Sequence, residues 1–465
     1  MRLNPVKILL LIGIFIPFEN FTVKWLPGGD FIRFIPELLM YGLLFFEFIK
    51  KVVYEKYYIT TPINKLFLLF IFLAIVSFIY NWGPILEGIR NFRNLIRYIA
   101  AYYIIIYNDV ERKDLKYFIN MFMLIACINI AIGFFQRIFG VSSFWLPANS
   151  ELEIGGMSTS FKSVNESGGG GREIGSVIGL TGDTVYLGLF LLISIPLLYF
   201  QLTYDKKNKL FLTMVFLCSI VLQFFTYSKG GLIATIGGIG MCFLLLKEYK
   251  KIGLIVVSGI IILPIMTILG DVTQEKTKQS EEETSPIENI TMLFNDTYID
   301  GLQNSRMWVL RDVSKQVIKL DLPLGYSSSP NYTRAMIAKN SGTDEFDKLI
   351  EYDAMEDVYW VAMFAYYGYV GVSVFIAILL IFLHCSLYVF RKTNNVEIKT
   401  IAGAYVAILA STFIMSFVVR TFEFRIFSYY FWMIPAFIMK EYLFLKDGLF
   451  YYEPKIETSE SIANK

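Results

Sequence analysis

Apolar runs long enough to cross a bilayer recur from one end of this chain to the other, and they leave it few folds to choose from. A hydrocarbon core takes ~17–25 residues of helix to span. Inside it every backbone amide must find its partner within the protein, so only helices or closed barrels cross. The runs here are continuous rather than alternating, which selects helices. Composition agrees: of 465 residues 55% are hydrophobic, and the mean hydropathy is +0.53. Charged residues make up 18%, against about 25% for a soluble chain, and they gather in a few loops.

The expected fold is an all-α polytopic membrane protein with about twelve transmembrane helices. They are placed near residues 6–18, 31–49, 66–80, 93–107, 117–136, 179–200, 210–226, 229–246, 252–269, 357–390, 400–418 and 425–446. No small-residue cleavage site follows the first run, so it reads as a retained span. Cys127, Cys218, Cys242 and Cys385 all fall in spans, so no disulfide framework is expected.

Lysine and arginine set the orientation. With the N-terminus in the cytoplasm, Lys50, Lys51, Lys56, Lys65, Arg112, Lys113, Lys116, Lys206, Lys207, Lys209, Lys247, Lys250, Lys251, Arg391, Lys392 and Lys399 fall in inner loops. That is the asymmetry of the positive-inside rule, and it places the C-terminus inside too. The chain then divides into spans one to nine (1–269), a large outer loop (270–356), spans ten to twelve (357–450) and a cytoplasmic tail (451–465). A second outer loop, 137–178, interrupts the first block and contains Ser167-Gly168-Gly169-Gly170-Gly171, the composition of a flexible linker.

Loop 270–356 is far longer than the ~4–6 residues of an ordinary connector. After a charged stretch, Gln274 to Glu288, it shows a helical pattern over Asn304–Leu320, a break at Leu322-Pro323-Leu324-Gly325 and a polar helix over Asn331–Lys348. A small helical cap over the membrane domain is the expected result.

Cations on the outer side run against the topology bias. Arg90, Arg93 and Arg97 are spaced to share one helical face. Charge in the hydrocarbon region costs at least ~2.5–3.5 kcal/mol, so such groups face a cavity or a partner. The bland alternative is snorkelling to headgroups. Lys229, Arg306, Arg311, Arg420 and Arg425 lie on the same side. Lys229 sits in Thr226-Tyr227-Ser228-Lys229-Gly230-Gly231, whose glycines would admit a ligand to the backbone. Glu423 between Arg420 and Arg425 offers them an ion pair. Convergent arginines suit an anionic ligand, phosphate oxygens above all.

Acidic candidates on that side are Asp183, Glu351, Asp353, Glu356 and Asp357. Each stands either as a helix cap or as a general base beside an aqueous cavity. The single histidine, His384, falls near the inner end of its span. No Cys/His or carboxylate set has metal-ligand spacing, and no P-loop is present, so neither a metal nor ATP chemistry is expected.

Four segments, in order, resemble the O-antigen polymerase and O-antigen ligase superfamily. They are Gly179-Leu180-Thr181-Gly182-Asp183-Thr184; Tyr227-Ser228-Lys229-Gly230-Gly231, with lysine for the family's arginine; Ser305-Arg306-Met307-Trp308 followed by Leu322-Pro323-Leu324-Gly325; and Tyr359-Trp360 through Tyr367-Gly368-Tyr369-Val370-Gly371. The resemblance covers roughly 175–375. It implies a metal-independent, cofactor-free inverting glycosyltransferase whose donor is an undecaprenyl-diphosphate oligosaccharide. It places arginines of both outer loops around that donor: Arg306 matches directly, while Arg172 is displaced from the usual spacing. Ligases of the superfamily carry a histidine about where Asp357 stands, and this chain has no outer-loop histidine, which favours a polymerase.

The site expected on this basis has Asp357, then Glu356 or Asp183, as base, with Arg93, Arg97, Lys229, Arg306, Arg420 and Arg172 on the diphosphate. Membrane lipid and a chain-length regulator protein are the other partners implied, and nucleic acid is not one. The competing readings are a ligase acting on lipid A core and a transporter or flippase of lipid-linked oligosaccharides. A transporter would show internal repeats and midplane charges, and no repeat is evident.

Overall fold

The computed structural model describes residues 4–20, 22, 29–56, 59–81, 84–139, 151–154, 157–160, 177–205, 208–226, 228–251, 253, 306–340 and 358–448. They form a helical membrane protein. The helices, in chain order, are α1 (Pro5–Phe15), α2 (Gly29–Phe48), α3 (Asn64–Asn81), α4 (Ile85–Ile96), α5 (Ile99–Tyr107), α6 (Arg112–Phe139), α7 (Thr184–Tyr204), α8 (Lys209–Phe225), α9 (Lys229–Leu245), α10 (Arg306–Lys319), α11 (Pro330–Asn340), α12 (Tyr359–Lys392), α13 (Val396–Met415) and α14 (Arg425–Asp447). Five of them, α3, α6, α7, α12 and α13, are long and apolar enough to cross a membrane. A short antiparallel hairpin pairs Glu151–Ile154 with Met157–Ser160. The predicted span 252–269 apart from Gly253, most of the first outer loop, and the predicted cap outside 306–340 lie outside the described residues.

The centre of the bundle is α7, α13 and α14, whose side chains are buried almost all round. A helix apolar on every face belongs in such a core. Aromatic edge-to-face contacts knit it together, with Tyr430 against Phe122 at 4.6 Å and Phe422 against Phe431 at 4.8 Å. α9 approaches α13 through glycine: a Cβ on Gly237 or Gly238 would collide with Ile414 or Ser411. Small residues let helices meet closely where lipid offers no hydrophobic drive.

The fourth predicted span is two helices. The spacing of Arg90, Arg93 and Arg97 implies one helix running into 93–107, but the chain leaves α-geometry at Tyr98 (φ −98°, ψ 3°). α4 is amphipathic, with Ile85, Leu86 and Ile89 exposed and Gly88, Asn91, Asn94 and Leu95 buried. α5 is apolar and buried except at Tyr103. One straight helix cannot lay a polar face on the protein and then sink into its core, so the segment breaks between the two.

α12 is also broken. Gly368 takes φ 63°, ψ −173° inside it, which marks a kink between two helical pieces. Here the chain between α10 and α11 crosses it: Tyr326 donates to the Ala365 carbonyl at 2.7 Å, and Val370 donates to the Pro323 carbonyl at 3.1 Å. Ser77 of α3 donates to the Leu324 carbonyl at 2.7 Å. The amide groups freed by the break are thus satisfied by this strap.

Candidate functional site

The strap carries the break in α12 across to α4. Beyond Tyr326, Ser328 donates to the Gly88 carbonyl at 3.1 Å, Ser329 to the Pro84 carbonyl at 2.9 Å, and Asn91 of α4 to the Ser328 carbonyl at 2.9 Å. Asn331 at the start of α11 donates its backbone N–H to Glu87 at 2.9 Å. α4 is therefore fixed along its polar side by the strap and the start of α11. Tyr326 itself bonds Asn340 at 3.1 Å. Burial first, with the Asp312 charge adding to it, holds its phenol above the ordinary value, so it stays protonated around neutrality.

Two charged groups flank α4. On one side Glu37 of α2 takes three guanidiniums. Its Oε1 lies 3.4 Å from Arg93 Nε, and its Oε2 lies 3.5 Å from Arg97 Nε and 3.9 Å from Arg425. Arg425 also bonds Glu19 at 2.6 Å and the Tyr98 hydroxyl at 2.9 Å, and Arg97 bonds Asn94. On the other side Arg420 pairs with Glu423, donates to Asn91 at 2.9 Å and lies over the Tyr366 ring at 5.7 Å. A narrow crevice between α4, the start of α12 and Glu423 is lined by Asn91, Leu95, Tyr359, Met363, Tyr366 and Tyr367. The Tyr359 hydroxyl is buried there without a hydrogen-bond partner among the described residues.

These groups share one end of the bundle. α5 runs away from Arg97 towards Asn108, and α14 runs away from Arg425 to Lys440, which donates to the Asn108 carbonyl. The opposite end holds ordinary ion pairs, Arg112–Glu397 and Lys251–Glu248, each at 2.9 Å. Glu248 also accepts from Tyr199 at 2.5 Å. Burial pushes the Glu248 carboxyl up, but the hydrogen bonds from Tyr199 and Lys251 outweigh it and hold it below its usual range.

Of the residues expected from sequence, Arg93, Arg97 and Arg420 are brought to this end, on or against α4. Each is compensated by a carboxylate, which the arginine pattern alone did not disclose. Arg420 pairs with Glu423 as expected, whereas Arg425 turns to Glu19 and Glu37 instead. Asp183 caps α7, its Oδ1 accepting the Val185 amide at 2.6 Å. Lys229 and Arg306 open α9 and α10, their side chains outside the described ones; Arg172, Glu356 and Asp357 lie outside the described residues. The expected openness at Gly230 and Gly231 is not found: Val418 and Gln223 fill the space a Cβ would take, so these glycines serve packing.

Glu19, Glu37 and Asn91 are the residues sequence reasoning passed over. Glu19 and Glu37 had a signal, since each is a carboxylate in or beside an apolar run, where it needs a cation.

An excess of guanidinium over carboxylate is the chemistry of an anion site. Around Glu37 three guanidiniums meet two carboxylates among the described residues, and one of the three, Arg93, has 41% of its side chain exposed. The other two are held at about a tenth. No protein-family model matches the chain, and no curated protein matches it.

Proposed function

We propose that this protein is a polymerase that joins undecaprenyl-diphosphate-linked oligosaccharide repeat units into an O-antigen or capsular polysaccharide. The observation that carries the reading is the gathering of Arg93, Arg97, Arg420 and Arg425 around one amphipathic helix, α4, instead of their dispersal on lipid-facing surfaces. Charge at one end of an apolar bundle calls for a partner, and around Glu37 the arginines outnumber the carboxylates among the described residues. The strap supports it further. Leu322-Pro323-Leu324-Gly325 and Tyr367-Gly368, two of the four segments on which the family resemblance rests, meet at the break in α12.

In the proposed site about twelve spans place these arginines on the outer face of a bacterial inner membrane, with both termini in the cytoplasm. Arg93, with Arg306 and Lys229 from the starts of α10 and α9, holds the donor diphosphate; Arg172 of the first outer loop is the remaining candidate. Arg97 and Arg420 hold α4 and the adjoining turn. The acceptor hydroxyl attacks the anomeric carbon of the donor and gives its proton to Asp357. The bond from that carbon to the phosphate oxygen breaks, and the lipid diphosphate leaves with the electron pair. Cations fixed around the leaving oxygens stabilise charge as it develops, and in most such sites this lowers the barrier more than anything else does. The role of Asp183 as a cap favours Asp357 or Glu356 as base.

The test is purified protein given lipid-linked repeat units alone. A ladder of chain lengths supports polymerisation. Transfer that requires a separate lipid acceptor points to a ligase, and translocation without new glycosidic bonds points to a flippase.

A further inference from the structure

Glu37 uses its two oxygens differently. Oε2 serves Arg97 and Arg425, both nearly buried, and Arg425 has a second carboxylate in Glu19. Oε1 serves Arg93, whose side chain is partly exposed while its Nε is buried. The Arg93–Glu37 contact is an ion pair at 3.4 Å in which Arg93 Nε makes no hydrogen bond among the described residues. Glu37 Oε2 and Arg97 Nε are buried and likewise lack hydrogen-bond partners among the described residues. Charged buried atoms without hydrogen bonds cost free energy, so the cluster is under-satisfied as it stands. An anion that gave Arg93 charge-assisted hydrogen bonds would improve on Glu37, which could then turn wholly to Arg97 and Arg425.

We propose that Glu37 is an internal stand-in for phosphate: it holds Arg93 while the site is empty and releases it to the diphosphate of the incoming lipid. This rests on the polymerase reading only in taking the ligand to be a lipid diphosphate. The exchange keeps α4 ordered without substrate and keeps a partly exposed arginine from capturing ordinary headgroups firmly. It also gives the product a way out, because the carboxylate competes for Arg93 as the diphosphate leaves. Glu37 is a positioning residue in this scheme and touches no reacting atom.

The test is binding of inorganic pyrophosphate and of a short-chain polyprenyl diphosphate to the full-length protein in nanodiscs. Glu37→Gln removes the competing charge, and both ligands should bind about tenfold more tightly, a coupling of ordinary size. A purely structural role predicts the opposite sign, so equal or weaker binding overturns the proposal. Since Glu37→Gln can fail to fold, a second measurement uses the wild type. Arginine modification with phenylglyoxal, mapped by mass spectrometry, should label Arg93 and spare Arg97 and Arg425, and pyrophosphate should slow the Arg93 reaction about tenfold. Unchanged labelling of Arg93 under saturating pyrophosphate overturns the exchange while leaving the anion site standing. Failure of the wild type to bind either ligand overturns both this inference and the reading beneath it.

Discussion

Gly325 and Gly368 face each other backbone to backbone. A Cβ on Gly325 would stand 2.6 Å from the Gly368 nitrogen, and one on Gly368 would strike the Pro323 carbonyl. Both also sit at positive φ, 69° and 63°. Their contact is what lets the strap lie in the break of α12, and through Ser328 and Ser329 the strap holds α4. The arginine cluster therefore depends on two glycines that touch no charged group.

Alanine at either position should be severe. A non-glycine residue at positive φ costs about 1–3 kcal/mol by itself, and here backbone collision adds to it. Gly448, at φ 63° with open space around it, isolates the first effect. Thermal unfolding of detergent-purified variants should show Gly448→Ala mildly destabilised, with Gly325→Ala and Gly368→Ala far more so. Equal losses at all three would contradict a role for backbone packing.

Arg93 and Arg97 should behave oppositely despite their shared partner. Arg97 is buried, and removing one member of a buried pair costs about 3–5 kcal/mol, so Arg97→Ala should fold poorly. Arg93 is partly exposed, and without it Glu37 keeps Arg97 and Arg425, so Arg93→Ala should keep its melting temperature within a few degrees. Its activity should nonetheless fall on the order of 10²–10³-fold. Melting curves and product ladders on the same preparations check both halves.

Asp183 and Asp357 separate capping from chemistry. Asp183→Ala removes the α7 cap and should cost about 1 kcal/mol of stability, with turnover of the folded fraction retained. Asp357→Asn should leave stability alone and abolish turnover. Retained full-length polysaccharide in cells carrying Asp357→Asn would remove it as the base.

Arg112 supplies the control at the other end. Its pair with Glu397 is exposed and lies away from α4, so Arg112→Ala should shift stability by at most about 1 kcal/mol. Polymer length should not change. A shortened ladder from this variant would show that charge near either end matters without regard to place.

Much of the fold was legible because lipid imposes a simple rule on sequence. The long apolar runs among the described residues are helices, and α7, α13 and α14 fell where predicted to within a few residues. The break at Tyr98 was harder to foresee, since arginines spaced three and four apart fit a continuous helix as well as an amphipathic one that stops. Arg93, Arg97 and Arg420 were singled out because cations stand out in an apolar chain, and the structure places them at one end of the bundle. Glu19 follows α1 and Glu37 lies in α2, both remote in sequence from the arginines they meet, and no local pattern announces which cation each one finds. The meeting of Leu322-Pro323-Leu324-Gly325 with Gly368 was hidden for the same reason, although each motif was visible alone.

The decisive comparison is the product profile of purified wild-type protein and Arg93→Ala given lipid-linked repeat units and no other acceptor. A polymerase built around these arginines yields a ladder of glycan lengths from the wild type, with release of lipid diphosphate, and only single repeats from the folded variant. A ladder of undiminished length from Arg93→Ala, or none from the wild type, would contradict it.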